Sequence, residues 1–411
     1  MHILVISQYF WPENFRINEL CLSLKEKGHQ VTVLTGIPNY PEGKFYKGYG
    51  LFKKVRENYN GIQIIRIPVI PRGKGRDVEL IINYSSFVLN AAFFGPFFCR
   101  EKYDVIFVYE PSPITVGIPA IVMKKRSRAP IMFWIQDLWP ETLPAVGVVN
   151  SKLILNAVGL LVRFIYSRCD RILIQSKSFR SSVEKYTSKP ETISYFPNSA
   201  EELYKPLVCK DDSPEAALLP PGFKVMFAGN IGAAQGFRTI LDAASLLKEQ
   251  KEIHWVILGD GRMKNWVEQE IKKRGIEKTF HLLGRHPLKT MPIFFSFADA
   301  LLVSLKKDPV FSLTIPAKLQ SYLACEKPVI AALDGAGADV VKESKAGIVC
   351  PPDDPAKLAE AVLEMNNMSD DKRKQMGKNG KQYFEAFFEG EMLVNKLEMW
   401  MKEVSHRKTI A

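Results

Sequence analysis

Short apolar runs alternate with amphipathic stretches along most of the chain. ILVIS (3–7) is a compact apolar run that opens into the loop QYFWPEN. Ile17, Leu20, Cys21 and Leu24 then recur at helical spacing, Gly28 stops the helix, and VTVLT (31–35) is the next apolar run. Strand, helix and strand within some thirty residues predict a βαβ unit with a parallel crossover. The rhythm returns at DVIFVYEP (104–111), IMFWIQD (131–137) and RILIQS (171–176). These runs are continuously apolar instead of alternating, as expected of strands covered by helices on both faces.

The same pattern restarts after residue 220. KVMFAGN (224–230) leads into a helix carrying Ile240, Leu241, Ala244 and Leu247. WVILGDG (255–261), HLLG (281–284), ALLVSL (300–305), PVIAA (328–332) and GIVCPPDD (347–354) follow. Between the two series, residues 194–222 hold five prolines and no period, which predicts an interdomain linker. The fold expected is α/β: two doubly wound, parallel-sheet, Rossmann-like domains facing each other across a cleft. Their bounds are 1–200 and 201–382, with a helix over 383–411 returning to the first domain. Sheets of this kind bind ligands at the carboxyl ends of their strands.

A length of 411 residues suits two such domains, and 24% charged with 46% hydrophobic residues is ordinary globular composition. The net charge of +12 is unevenly spread. Residues 1–200 carry 26 Lys and Arg against 15 Asp and Glu, whereas residues 201–411 carry 30 against 29. The first half therefore meets something anionic: nucleic acid, a phosphorylated substrate or a membrane surface. The six cysteines are widely spaced, without a CxxC pair, which argues against zinc and for a reducing compartment. The amino terminus reads as a strand, not a signal peptide. No clean apolar run of about 18 residues occurs, since Leu80–Phe98 is interrupted by polar residues, Gly and Pro.

Several residues can carry chemistry. In GNIGAAQG (229–236), Gly229, Gly232 and Gly236 join a strand to a helix, either to cradle phosphate through backbone N–H groups or simply to turn. GDGR (259–262) is a second such turn, where Gly261 and Arg262 either meet a phosphate or face water. In FSLTIPAKLQS (311–321), Thr314 and Pro316 precede a helix and Lys318 falls in its first turn. A lysine is unfavourable there unless an anion offsets it or it is simply exposed. In IQDLWPETL (135–143), Asp137 and Glu141 are strand-end acids suited to general-base work or to orienting a sugar hydroxyl. Asp137 could equally be a helix cap. Glu110 holds a similar place, and Glu13 and Asn14 in the first loop add polar groups. The histidines pair with no plausible nucleophile, and there is no Asp-x-Asp metal motif.

The chain resembles retaining glycosyltransferases of family 4 with the GT-B fold, in particular the bacterial capsule, colanic-acid and O-antigen transferases, including those of L-fucosamine type. The resemblance runs through ISQYFWPE (6–13), LKEKGHQVTVLT (24–35), WIQDLWPE (134–141), FAGNIGAAQG (227–236), LGDGRMK (258–264), LLGR (282–285) and IPAKLQSYLACEKPVI (315–330). It implies transfer, with retention and without metal or other cofactor, of a sugar such as an N-acetylated deoxyhexosamine (L-FucNAc). The donor would be a nucleotide sugar, UDP-linked, and the acceptor a glycan on a lipid carrier of the undecaprenyl-diphosphate kind. The second domain would hold the donor, with Gly229, Gly232, Gly261 and Arg262 at the diphosphate, Lys318 near phosphate or sugar, and the backbone around Arg285 at the base. The first would take the acceptor, with Asp137 at the reacting carbon.

Two departures bear on charge. The family's Arg and Lys in the first phosphate loop are Asn230 and Gln235 here. Its Glu-x7-Glu pair falls on Leu313 and Ser321. Helix termini, Lys318 and Arg262 or Arg238 would then balance the diphosphate. The aromatic helix over 80–98, flanked by Arg72, Lys74, Arg76, Arg100 and Lys102, is expected to dock on an anionic membrane. The apolar helix over 153–166 is expected to pack under the first sheet. The enzyme would then work in the cytoplasm, peripheral to the inner face of the plasma membrane, and bind no nucleic acid. A sugar-nucleotide epimerase, a GDP-sugar-dependent transferase and a non-enzymatic basic binder remain alternatives.

Overall fold

The computed structural model describes residues 1–51, 53–145, 149–209 and 212–410, with side chains up to residue 406. The chain divides into two compact units, Met1–Pro197 with Glu391–Ala411, and Asn198–Gly390.

The first unit is built on eight strands: β1 (His2–Ile6), β2 (Gln30–Gly36), β3 (Arg56–Tyr59), β4 (Ile62–Ile67), β5 (Val105–Glu110), β6 (Ile131–Ile135), β7 (Arg171–Ile174) and β8 (Ile193–Tyr195). Their order is β3-β4-β2-β1-β5-β6-β7-β8. All neighbours are parallel except β3 and β4, with Ile3 opposite Val31 on one side and Val105 on the other. Every residue of β5 and β6 is buried, which is why these strands read as unbroken apolar runs. The hairpin β3–β4 escapes a periodicity reading because its edge strand is the polar RENY. Its turn is Asn60-Gly61, both with positive φ.

Three helices cross over β4→β5→β6→β7: α1 (Ile17–Glu26) precedes them on the chain, and α2 (Asp77–Phe98), α3 (Gly117–Ser127) and α4 (Lys152–Tyr166) are the crossovers themselves. Moving in one direction across the sheet, right-handed crossovers place α2, α3 and α4 on one face. α2 contacts α3, and α3 contacts α4. The other face is covered by α1 and the carboxy-terminal helix Gly390–Ile410. Ile17, Cys21 and Leu24 share a core there with Leu393, Leu397 and Met401. The Arg171–Glu403 ion pair at 2.7 Å ties that helix to β7.

One expectation on helices is corrected, and a second is met by one face of its helix. The helix expected over 383–411 is in fact the end of one helix, Asp370–Phe387, and the whole of the next. Phe384 and Phe388 belong to the core of the second unit, where a Cβ on Gly377 would lie 2.2 Å from the Glu326 carbonyl. Close backbone approach holds that helix in place. The helix α4 packs under the sheet by one side only. Gly159, Val162, Ile165 and Tyr166 are buried, but Leu153 is 80% and Leu160 66% exposed.

The second unit has six parallel strands: β9 (Phe223–Ala228), β10 (Ile253–Leu258), β11 (Phe280–Gly284), β12 (Ala300–Ser304), β13 (Val329–Ala332) and β14 (Gly347–Cys350). Their order β11-β10-β9-β12-β13-β14 is that of a dinucleotide-binding sheet, and the topological switch point lies between β9 and β12. Its helices include α5 (Phe237–Leu246), α6 (Lys264–Arg274) and α7 (Ala317–Ala324). The expected linker, 194–222, is not a free connection. Its first residues belong to β8, with Ser194 opposite Leu173. Ala200, Tyr204 and Leu219 pack on the second core, and Tyr204 stacks on Phe295 with centroids 5.9 Å apart.

Candidate functional site

At the switch point of the second sheet, two glycine turns lock backbone to backbone. Gly229 N donates to Leu258 O at 2.9 Å, and Ile231 N donates to Asp260 O at 2.9 Å. A Cβ on Gly259, whose φ is +142°, would stand 1.9 Å from the Gly229 carbonyl. No side chain fits between these turns. The Asn230 side chain spans them. A Cβ on Gly232 would lie 2.6 Å from its Nδ2, and one on Gly261 would lie 2.5 Å from its Oδ1.

Lys318 stands over this floor. Pro316 is the residue just before α7, so Lys318 is the second residue of the helix. Its Nζ donates to Gln235 Oε1 and lies 3.7 Å from the centroid of the Phe227 ring. A Cβ on Gly229 would be 3.3 Å from that nitrogen. Burial pushes the ammonium down to about 7. Among the described residues no acidic side chain pairs with it, so a bound anion is what would hold its charge. The helix is fixed by Tyr322, whose hydroxyl accepts from Ala228 N at 2.9 Å. Tyr322 and Phe227 lie within segments that carry the resemblance, but nothing in the sequence gives them a part in holding Lys318.

The remaining residues named on this side divide. Arg262 and Arg285 are exposed in the loops after β10 and β11, and Asn230 is exposed beside Gly229. Thr314 is half-buried and donates to Val310 O at 3.3 Å. Ser321 sits one turn beyond Lys318 and is buried. A cavity of about 330 Å³, lined in part by Lys307, Asp334 and Lys342, opens beside the ends of β13 and β14 and does not include Lys318.

In the first unit, acids gather at the carboxyl ends of β1, β5 and β6, around that sheet's own switch point. Glu110 ends β5 and is wholly buried. Burial, then the charge of Asp137, drives its carboxyl well above the usual range. Asp137 follows β6, and burial pushes it up to about 7. It precedes the short helix Thr142–Ala145 by five residues and does not cap it. Glu13 is buried after β1, and its Oε1 accepts from Asn39 N and Tyr40 N, each at 2.7 Å. Burial outweighs these bonds and pushes its carboxyl to about 7. Asn14 is exposed beside it.

An aromatic group connects these acids. The charge of Asp137 acts on Tyr84 of α2, which bonds to Tyr9. Arg72 donates to the Tyr9 hydroxyl at 3.3 Å and lies 4.8 Å from the Tyr40 ring centroid. Sequence reasoning missed Tyr9, Tyr84 and Tyr40, which are scattered over 75 residues. Glu141 reaches the group only by way of Tyr166, on which the charges of both Glu110 and Glu141 act. Burial raises its carboxyl, and its electrostatic neighbours are Lys185, Tyr166 and Tyr186.

An acid poised near neutrality and a partly desolvated cation are what group transfer between polar substrates needs. Residues 14–199 match the Glycosyl transferase 4-like domain, and residues 210–383 match Glycosyl transferases group 1. WbjE of Pseudomonas aeruginosa, named a probable glycosyltransferase, is 28% identical over 242 residues, 56% of this chain and 58% of its own. WcaI of Escherichia coli K12, named for colanic acid biosynthesis glycosyl transfer, is 24% identical over 338 residues, 79% of this chain and 81% of its own. Among solved structures, sucrose-phosphate synthase from Thermosynechococcus elongatus superposes with a TM-score of 0.76 at 16% identity, covering 98% of both chains. Anabaena HepE in complex with UDP and glucose gives 0.70 at 15% identity, covering 98% of this chain and 100% of its own. With a group 1 domain on the second sheet and a 4-like domain on the first, the chain belongs to the group 1 glycosyltransferases of GT-B fold.

Proposed function

We propose that the protein transfers a sugar from a UDP-linked donor to a lipid-linked glycan in bacterial surface polysaccharide synthesis, with retention and without a metal ion. An N-acetylated deoxyhexosamine such as L-FucNAc is the sugar proposed, and an undecaprenyl-diphosphate-type carrier the lipid. The enzyme works at the inner face of the plasma membrane. The observation that carries this reading is Lys318, which has no acidic partner among the described residues and stands above two interlocked glycine turns at a switch point. Gly229, Gly232 and Gly261 let the diphosphate approach the backbone, and Lys318 offsets its charge. Asn230 and Gln235 replace cations, so Lys318 carries more of that work. In the first unit, Asp137 orients the acceptor hydroxyl and takes or gives its proton near neutral pH.

HepE, whose structure holds UDP and glucose, supports the choice of uridine, and WcaI supports the polysaccharide context. The decisive experiment incubates the purified protein with a panel of UDP- and GDP-sugars, with and without lipid-linked acceptor. Transfer from a UDP-sugar that requires acceptor is expected. Conversion of free donor to its epimer without acceptor overturns the reading in favour of an epimerase. Transfer from GDP-sugars alone overturns the uridine assignment.

A further inference from the structure

We propose that the helical layer of the first unit formed by α2, α3 and α4 is a docking surface for an anionic bilayer. It lies along the bilayer and does not cross it. This deepens the reading above by naming the surface that brings enzyme and lipid-linked acceptor together, and rests on that reading only for the acceptor.

The layer is apolar where a water-facing layer is normally polar. On α2 the exposed row recurs every four residues, with Ile81, Leu89 (69% exposed), Phe93 (63%) and Phe97 (54%), and only Ser85 interrupts it. On α4, Leu153, Leu160 and Phe164 repeat the arrangement at i, i+7 and i+11. Between them α3 is turned inward, burying Ala120, Ile121 and Met123. Single exposed apolar residues need no explanation, but rows of them on the two helices that flank α3 do.

The helix α2 has the length and apolarity to cross a membrane, and only 28% of its most apolar window is buried. Its polar residues tie it lengthwise to the sheet instead. Asn83 Oδ1 accepts from Gln8 Nε2 at 2.7 Å, Asn90 Nδ2 donates to Pro68 O at 2.9 Å, and Ser86 Oγ accepts from Ile70 N at 2.9 Å. A spanning helix would forfeit all three bonds in hydrocarbon.

Charge selects the occupant. The crossovers run in one direction, so their carboxyl ends share an edge of the layer. Arg100 and Lys102 follow α2 there, Lys124, Lys125 and Arg126 end α3, and Arg168 follows α4. Opposite, Lys74 and Arg76 precede α2. Arg168 lies 3.6 Å from the centroid of the exposed Phe164 ring, a cation beside an apolar group as at a headgroup boundary. Acids answer only in part: Glu79 pairs with Arg76 and Asp170 with Lys124, and the exposed Asp77 and Glu101 still leave the basic residues in excess. A second copy would bring cations against cations, whereas anionic lipid meets both the apolar rows and the charge.

The test is sedimentation of the full-length protein with vesicles of phosphatidylglycerol and phosphatidylcholine, or of phosphatidylcholine alone, without donor or acceptor. Binding to the anionic vesicles is expected, falling as salt rises. Phe93→Ser with Phe97→Ser, and separately Leu160→Ser with Phe164→Ser, should each weaken it about tenfold or more. A second readout is Phe93→Trp, whose emission should shift to the blue on the vesicles and be quenched by brominated lipid. Absence of wild-type binding, unchanged binding in both double variants, or an unshifted tryptophan overturns the proposal. So does a dimer in sedimentation velocity that the same substitutions abolish while vesicle binding persists. Because the vesicles hold no acceptor and UDP binding is measured separately, failure here leaves the transferase reading standing.

Discussion

Lys318 Nζ donates to the Gln235 amide oxygen while resting above the Phe227 ring, where the family resemblance places a cation at residue 235. One change of charge in the loop therefore determines how the neighbouring lysine is held. In the free protein burial brings Lys318 down to about 7. A bound diphosphate reverses that by supplying charge. Above pH 7, UDP binding should therefore take up a proton, seen by calorimetry in buffers of different ionisation enthalpy. Lys318→Gln should abolish the uptake and weaken UDP binding by about tenfold to a hundredfold. The stability contribution has the opposite sign from that of a paired lysine. Between about 7 and 10.5 the folded chain binds fewer protons than the unfolded one, so this contribution rises with pH across that window.

Gln235→Glu tests the same pair from the other side. A carboxylate at that position would pair with the half-buried ammonium and keep it charged at pH 8. It would also set a negative charge in the proposed path of the diphosphate. UDP affinity should fall about tenfold or more while the melting temperature is held or raised. A variant that binds UDP normally would remove residue 235 from the donor site.

The acids of the first unit give a pH signature. Asp137 is raised from 3.8 to about 7, and Glu110 is raised well above 4.5, each by burial first. In the window between unfolded and folded values, the folded chain holds more protons. These groups thus stabilise the fold at low pH and lose that contribution as pH rises through the folded values. Glu110→Gln should raise the melting temperature over wild type at pH 8, with the gap narrowing toward pH 4. Asp137→Asn should cut transfer about a hundredfold or more and leave UDP binding intact. Because the two carboxyls interact, the pH–rate profile of the wild type reports the pair, and Glu110→Gln should move it.

Both sheets were legible because their central strands are buried on both faces and read as unbroken apolar runs ending in Gly, Asp or Glu. The edge hairpin was not, since RENY is polar and four residues long. Glycine turns and strand-end acids were legible as residue types, but their partners were not. Tyr9, Arg72 and Tyr84 meet only because the chain folds back over 75 residues, and no periodicity encodes that. Ser321 stands where the resembled family has the second Glu of its pair, and it is a buried residue of α7, while Tyr322 beside it makes the bond that fixes the helix. The helix α4 packs under the sheet as expected, but apolar composition could not say that its other side is left uncovered.

Two glycines with positive φ separate a backbone contact from a mere conformational preference. At Gly275, which caps α6 at φ +64°, an added Cβ would meet nothing within 4 Å. Gly275→Ala carries only the left-handed penalty, about 1 kcal/mol, and should leave UDP binding unchanged. At Gly259 the added Cβ would collide with the Gly229 carbonyl, so the turn must open or the strand ends must part. Gly259→Ala should cost about 3 kcal/mol or more in urea unfolding of the second unit. It should weaken UDP binding as well, because Gly229 and Lys318 are displaced together. Equal effects of the two substitutions would mean that the interlocked turns matter only for backbone conformation, not for the floor beneath Lys318.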